Sequence, residues 1–186
     1  ISPALADTLR EEARSQAKWI GVKHLEIKTS ELEQASYSKN PKDRCFACKT
    51  ELHKHTTYLS KKFNSNIVLD GVNLDDLKDH RPGIQAAKKA GVISPLAQFK
   101  FSKRDIRDIS KALGFPWWDK PAQPCLSSRF PYGNEITSER LKMVEKAEEY
   151  LKEGGLSEVR VRSQGLTARI EVPQDELKNF FQKYNL

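Results

Sequence analysis

Three cysteines are the residues of this chain best suited to chemistry. Cys45 and Cys48 form a C-x-x-C within D-R-C-F-A-C-K, and Cys125 follows much later in P-C-L-S-S-R. An odd number of cysteines does not suit a disulfide framework, whereas two thiolates on one turn can reach one metal or cluster. Three thiolates leave one position of such a centre free for chemistry. The same spacing occurs in redox dithiols, so cluster, zinc site, redox pair and unconnected thiols all stay open here.

A zinc site would need a fourth ligand beside the cysteines. His53 and His55 lie shortly after Cys48, but helical spacing does not place either of them well for a shared metal. Ser128 and Arg129 come soon after Cys125, where a hydroxyl and a guanidinium would favour a thiolate and bind an oxyanion. The proline-rich loop of residues 114–136 around them has the length that is usually functional.

Two arginines indicate a site for an anion. Arg160 and Arg162 alternate with valines in V-R-V-R, so on a strand both point from one face, roughly 6.5–7 Å apart at the α-carbons. Adjacent guanidinium groups suit a phosphate or a carboxylate. The alternative is a solvated face on which Glu158 and Glu171 are their partners.

The composition limits the class of protein. Of 186 residues, 38% are hydrophobic and 31% charged, which is typical of a soluble globular protein. No apolar run approaches the roughly 20 residues that span a bilayer, and no signal peptide is visible, so we expect a reducing cytoplasm. The net charge of +7 favours anionic partners such as nucleotides or RNA. Because the basic residues are spread along the chain, a solvated surface is favoured over a nucleic-acid groove.

The pattern of elements predicts an α/β fold with a doubly wound parallel sheet, followed by a smaller C-terminal α+β domain. Periodicity predicts helices at residues 3–20, 45–63, 102–113, 137–152 and 173–184, and an interrupted one at 76–90. Predicted strands cover residues 24–28, 66–71, 92–96, 158–162 and 168–172. Asp70 and Gly71 end the second of these, where ligands of such sheets bind. We expect domains at residues 1–119 and 137–186, joined by the cysteine-bearing loop at 120–136.

Three segments together resemble the LarE family of ATP-dependent sulfur transferases in the PP-loop pyrophosphatase group. They are D-G at 70–71 with D-H-R-P-G at 79–83, P-C-L-S-S-R-F-P-Y-G at 124–133, and V-R-V-R at 159–162. The resemblance implies a Rossmann-like fold of the adenine nucleotide alpha hydrolase type. It implies that ATP and Mg²⁺ adenylate a carboxylate of pyridinium-3,5-biscarboxylic acid mononucleotide, and that sulfur then displaces AMP. The dithiolated product is the precursor of the nickel-pincer nucleotide of lactate racemase.

The same resemblance suggests a role for each candidate residue. Cys125 matches the sulfur-bearing position, and members with three cysteines resemble thiolation enzymes whose [4Fe-4S] cluster carries an exchangeable sulfide on its fourth iron. The implied cluster ligands are Cys45, Cys48 and Cys125. The other implied roles are an acyl-orienting pair (Ser128 and Arg129), an acidic position near the site (Glu148), a substrate-anion pair (Arg160 and Arg162) and a nucleotide site (Asp70 and Gly71). The family also implies a sulfide donor and a homo-oligomer, namely a hexamer.

The chain departs from the family pattern at one point. The sequence contains no S-G-G-x-D-S loop to grip the pyrophosphate of ATP, and we therefore expect a chain truncated at both ends. Two other functions stay open. One is a cluster-dependent tRNA thiolation enzyme of the same group, which would be expected to carry a basic RNA-binding module. The other is a zinc-stapled α/β binding module without ATP chemistry.

Overall fold

The computed structural model describes residues 1–65 and 67–184, which divide into two units. Unit 1 joins Ile1–Pro41 to the chain from Pro124 onward, and unit 2 comprises Lys42–Gln123. This division differs from the sequence-based limits at residues 119 and 136. The reason is that hydrogen bonds join the first 41 residues to the cysteine-bearing loop, including those from the amide of Leu126 to the carbonyl of Ala4 (2.9 Å) and from the amide of Ile136 to that of Ser38 (2.7 Å).

The longer helices agree with the predicted periodic segments, whereas the short helices Ala35–Ser38 and Pro95–Gln98 were not predicted, and the second overlaps the predicted strand at 92–96. They are α1 (Asp7–Ile20), α2 (Ala35–Ser38), α3 (Arg44–Lys62), α4 (Pro82–Lys89), α5 (Pro95–Gln98), α6 (Lys103–Ala112), α7 (Ser138–Glu153) and α8 (Leu177–Tyr184). Local signals fix several ends: Ser102 and Asp105 form a capping box before α6, and Gly21 ends α1 at a φ of 78°. In the described part of the chain, no helix is both long and apolar enough to cross a membrane.

An antiparallel hairpin forms the regular sheet of unit 1. Strands β1 (Arg160–Gln164) and β2 (Thr167–Glu171) pair with Arg160 opposite Glu171 and Arg162 opposite Arg169. Alternation sends Val161 inward, where it packs with a cluster of buried residues of this unit, namely Leu151, Leu156, Val159 and Phe180. The hairpin confirms the two strands that alternation predicted, shifted toward the turn by two residues in β1 and by one in β2.

The predicted doubly wound parallel sheet is reduced to isolated pairings in the described residues. In unit 2, Leu69 and Ile93 form one parallel bridge, in which the amide of Asp70 donates to the carbonyl of Ile93 at 3.0 Å. The predicted strand at 66–71 is otherwise irregular where it is described, and its first residue, Asn66, lies outside the described residues. The predicted strand at 92–96 is cut short because Pro95 begins a helix.

A second parallel contact lies in unit 1. The amide of Thr29 donates to the carbonyl of Ile1 at 3.2 Å, and the amino group of Ile1 donates to the carbonyl of Ile27. This is the bonding of a parallel pair, although residues 24–28 form no regular strand. The fold is therefore α/β, with its one regular sheet in the described residues antiparallel.

The charge of the chain is divided unequally between the units. Unit 2 contains 16 basic and 9 acidic residues, whereas unit 1 contains 16 of each, so the whole net charge of +7 falls in unit 2. The basic residues are spread as the sequence indicated, with 16 in each unit, and the difference in charge comes from the acidic residues. Anionic ligands will be attracted to unit 2 more than to unit 1 as a whole.

Candidate functional site

Cys125 lies at the start of a tight turn, and most of the residues that follow it in the turn are buried. A 3₁₀ turn at Leu126–Arg129 follows it directly, and the amide of Ser128 donates to the carbonyl of Cys125 at 2.9 Å. The thiol of Cys125 is free and its residue exposed, whereas Leu126, Ser127 and Arg129 are buried. The sequence thus places a reactive group at the surface of a loop whose next residues are held in the interior.

Arg129 holds this turn from within. Its Nε and Nη2 donate to the two carboxylate oxygens of Glu148 at 2.7 and 2.9 Å, and both side chains are only 5% exposed. Its Nη1 donates to the carbonyl of Pro124 (2.8 Å), to that of Cys125 (3.3 Å) and to Oγ of Ser128 (3.0 Å). Because these bonds occupy the guanidinium, the geometry favours a positioning role for Arg129 over the substrate contact implied by the resemblance.

Glu148 links the cysteine turn to the hairpin. It projects from α7, and the oxygen that accepts from Nε of Arg129 also accepts from the backbone amide of Val161 at 2.9 Å. A buried carboxylate needs such partners, and a bidentate guanidinium with an amide supplies them. Both oxygens of Glu148 therefore serve internal donors, an arrangement that suits a positioning group better than an acid or base acting on substrate.

Arg162 extends the link to the face of the hairpin. Its Nε donates to Oε1 of Glu171 at 2.7 Å, and its Nη1 donates to the carbonyl of Ser128 at 3.0 Å. Nη2 of Arg169 donates to the same Glu171 oxygen at 2.8 Å. The bond from Arg162 holds the pKa of Glu171 below its ordinary value, so this carboxylate is charged at neutral pH.

Arg160 completes a cationic face on the hairpin. It is half-buried, and its guanidinium makes no hydrogen bond or ion pair with another residue in the part of the chain that the structure describes. Paired residues of an antiparallel sheet share a face, so Arg160, Arg162 and Arg169 surround the single carboxylate of Glu171. Sequence reasoning found the first two arginines and missed Arg169. The register of the hairpin was the signal that could have placed it.

The C-x-x-C lies in unit 2, on the turn of α3 that runs from Cys45 to Cys48. Cys45 is exposed, Cys48 is half-buried, and neither forms a disulfide. Gly83 of α4 packs closely on this turn: an added Cβ would lie 2.8 Å from Cγ of Lys49 and 3.5 Å from the carbonyl oxygen of Cys45. The glycine of D-H-R-P-G therefore permits the close approach of α4 to α3.

Asp70 and Gly71 lie where the pattern predicted, directly after the bridged segment. Oδ1 of Asp70 accepts from the amide of Val72 at 3.2 Å, and the position of a Cβ on Gly71 is open space. His53 is buried in the same unit, and its Nε2 has no hydrogen-bond partner in the described residues. Burial lowers the pKa of His53, the charge of Lys49 lowers it further, and that of Asp70 opposes both.

The three cysteines carry the donors that an iron-sulfur cluster needs, and none of them forms a disulfide. In the described residues, no group of three His, Cys, Asp or Glu side chains is placed to hold a metal ion. Cys45 and Cys48 belong to unit 2 and Cys125 to unit 1. The chemistry of the three residues fits a cluster, because all are cysteines outside disulfides and Cys45 and Cys125 are exposed. A zinc site gains no support, since Nε2 of His55 bonds Glu51 at 3.2 Å instead.

Known proteins were compared with the chain. It is 52% identical over 186 residues to the uncharacterized protein slr1717 of Synechocystis, covering all of this chain and 69% of that protein. It is 38% identical over 137 residues to the uncharacterized protein MJ0830 of Methanocaldococcus jannaschii, covering 74% of the chain and 54% of that protein. No protein-family model matches the chain.

A third relative has a named activity. The chain is 32% identical over 179 residues to pyridinium-3,5-bisthiocarboxylic acid mononucleotide synthase of Lactiplantibacillus plantarum, covering 96% of the chain and 65% of that enzyme. The chain thus spans roughly half to two thirds of the length of the relatives it matches. It belongs to the family of the Synechocystis protein slr1717, and its similarity to the synthase supports membership of the LarE family.

Proposed function

We propose that the protein containing this chain is a sulfur transferase that converts carboxylates of pyridinium-3,5-biscarboxylic acid mononucleotide to thiocarboxylates, for nickel-pincer nucleotide biosynthesis. The similarity to the synthase supports the reaction class. The observation that carries the proposal is Arg162, which lies on the cationic face and also bonds the carbonyl of Ser128. This bond ties a site suited to a substrate anion to the turn that presents Cys125.

The chain's own residues would bind and orient the substrate. The cationic face of Arg160, Arg162 and Arg169 would take the phosphate of the mononucleotide, and Arg160 is the member whose guanidinium has no partner among the described residues. The ion pair of Arg129 with Glu148 keeps the backbone of the cysteine turn fixed. Adenylation would turn the substrate carboxylate into an acyl electrophile with AMP as leaving group.

Unit 2 is the part that we assign to ATP and Mg²⁺. Its net charge of +7 favours a polyanionic nucleotide, and Asp70 and Gly71 follow its parallel bridge, as ligand-binding residues do in doubly wound sheets. We accordingly propose a PP-loop type of parallel sheet for the protein.

We also propose that Cys45, Cys48 and Cys125 hold a [4Fe-4S] cluster. When bound, such a cluster supplies an iron position without a protein ligand, where sulfide can reside. The support is the odd set of three cysteines outside disulfides, two of them three residues apart on one helical turn. A tRNA thiolation enzyme is the second candidate, because the positive charge of unit 2 is what an RNA partner would need.

One experiment tests the function and the cluster together. The protein is purified without oxygen, and its iron, sulfide and absorption spectrum are measured. It is then incubated with ATP, sulfide and the pyridinium substrate, and thiocarboxylate and AMP are followed by mass spectrometry. We expect about four iron and four sulfide per chain, thiocarboxylate formation, and loss of both in Cys45→Ala, Cys48→Ala and Cys125→Ala. The control variant is Met143→Ala, which removes an exposed sulfur-containing side chain outside the proposed site and should change neither result.

Three results would contradict this assignment. One zinc per chain without visible absorbance would exclude the cluster. Full activity of Cys45→Ala with sulfide supplied would exclude the three-thiolate site. Sulfur incorporated into tRNA, with none in the pyridinium mononucleotide, would favour the second candidate.

A further inference from the structure

The cysteine turn is also held by a short segment of unit 1 that is far away in sequence. The hydroxyl of Tyr37, in α2, lies 2.6 Å from Oγ of Ser127, the second residue after Cys125. Tyr37 is 2% exposed and Ser127 is fully buried. Two hydroxyls at this distance form a hydrogen bond that water cannot replace without opening the interior.

Asn40 adds a second set of bonds to the same loop. Its Nδ2 donates to the carbonyl of Pro131 at 2.7 Å and to that of Phe130 at 3.4 Å. Its own carbonyl accepts from the amide of Gly133 at 2.9 Å. One buried residue thus bonds three residues of the loop, on a stretch that begins five positions after Cys125.

The backbone of Asn40 has an unusual conformation that allows its contacts with the loop. Asn40 has a φ of 54°, in the left-handed region that a side-chain-bearing residue adopts at a cost. It is fully buried, so surrounding contacts must enforce the conformation. That conformation brings its side-chain donor and its carbonyl to the loop at once.

We propose that Tyr37 and Asn40 are positioning residues that fix the backbone from which Cys125 is presented. They act through Ser127 and the 130–133 stretch, and neither touches the thiol. For the sulfur transfer proposed above, they lower the freedom of the thiol relative to the bound substrate. The effect on turnover rests on that proposed function, whereas the effect on the loop does not.

The test measures the loop before it measures activity. Hydrogen exchange of peptides covering residues 125–136 is followed by mass spectrometry in the full protein, without substrate. Tyr37→Phe removes only the hydroxyl, and Asn40→Gly keeps the left-handed backbone while deleting the donor. We expect exchange in this loop to rise about 5- to 30-fold in each, as loss of a buried hydrogen bond predicts. Tyr150→Phe, at an exposed tyrosine of the same unit, should change nothing.

Two further measurements separate positioning from general stability. In protein prepared without a cluster, the alkylation rate of Cys125, read from its own peptide, should change in Tyr37→Phe and Asn40→Gly but not in Tyr150→Phe. The kcat of thiocarboxylate formation should fall at least fivefold in these two variants, with KM for the pyridinium nucleotide unchanged. Adding Ser127→Ala to Tyr37→Phe should cause little further loss, because both remove one bond.

Several outcomes would overturn the proposal. Unchanged loop exchange in both variants, or a rise spread evenly over unit 1, would show that these residues do not hold the loop in particular. A raised KM with unchanged kcat would assign them to substrate binding. A wild-type protein without sulfur transfer would instead refute the proposed function, and the exchange data would still decide whether the clamp exists.

Discussion

Replacing Glu148 with glutamine is the sharpest test of how the cysteine turn is held. The substitution keeps the size of the side chain and removes its charge. In the wild type, Arg129 donates to both oxygens of Glu148, and the amide of Val161 shares one of them. In Glu148→Gln, the new amide group presents N–H to one of these donors, and the guanidinium loses its counter-charge.

The magnitude follows from burial. Both side chains of the pair are 5% exposed, so the cation left behind cannot be solvated by water. Removing one partner of such a pair costs about 3–5 kcal/mol of unfolding free energy, a large share of the roughly 5–15 kcal/mol of an ordinary domain. Replacing both partners, with Arg129→Met and Glu148→Leu, leaves no bare charge. We expect this double variant to be more stable than Glu148→Gln, although the amide of Val161 loses its acceptor.

Urea unfolding followed by circular dichroism measures these differences, and hydrogen exchange at β1 assigns them to unit 1. The matched control is Asp108→Asn, because Asp108 and Arg104 form a 3.9 Å pair whose side chains are 69% and 91% exposed. That variant should lose under about 1 kcal/mol. A loss of this small size in Glu148→Gln would refute the buried, bidentate pair, and a double variant less stable than the single one would refute the charge argument.

Three further predictions concern other residues of the structure. Gly83→Ala should lower the unfolding free energy, measured in urea, by about 1–3 kcal/mol, because its Cβ would lie 2.8 Å from Cγ of Lys49. Adding Lys49→Ala should restore most of the lost stability. If it does not, the clash with Lys49 is not the cause of the loss. Burial lowers the pKa of His53 in the folded protein. The unfolding free energy should therefore keep its full value above about pH 6.5, the pKa of an unfolded histidine, and fall as the pH drops below it. In urea titrations at several pH values, His53→Phe should reduce the dependence of the unfolding free energy on pH. The control is His80→Asn, at an exposed histidine, and an equal reduction in that variant would contradict the assignment to His53. Arg160→Ala should leave stability unchanged and weaken calorimetric binding of the pyridinium mononucleotide about tenfold, with ATP affinity unaffected; equal losses for both ligands would count against its role.

The features that could be predicted from the sequence are local ones. Helices α1, α3, α6 and α7 follow from apolar spacing and their end signals, and the shared face of Arg160 and Arg162 follows from strict alternation. These features depend on residues a few positions apart. The proline-rich loop around Cys125 was also expected, because its composition excludes a helix or strand.

The rest depends on pairing across the chain, which no local pattern specifies. Arg129 meets Glu148 across 19 positions, and Tyr37 meets Ser127 across 90. A short polar segment such as 37–40 has no periodicity that would mark its residues as buried, so sequence reasoning passed over it. Parallel pairing is also non-local, and an apolar run such as 67–69 indicates a strand without specifying its partner.

The position of Glu171 explains why the hairpin can keep three arginines together. Without it, the guanidinium groups would repel one another; with one carboxylate shared between Arg162 and Arg169, the face keeps a net charge of about +2. A phosphate dianion balances that charge, whereas a single carboxylate leaves one positive charge over. The arrangement therefore favours the phosphate of a mononucleotide at this face. In the proposed function, the carboxylate to be activated is then the end of the substrate left free for sulfur transfer at Cys125, whose turn Arg162 holds through Ser128.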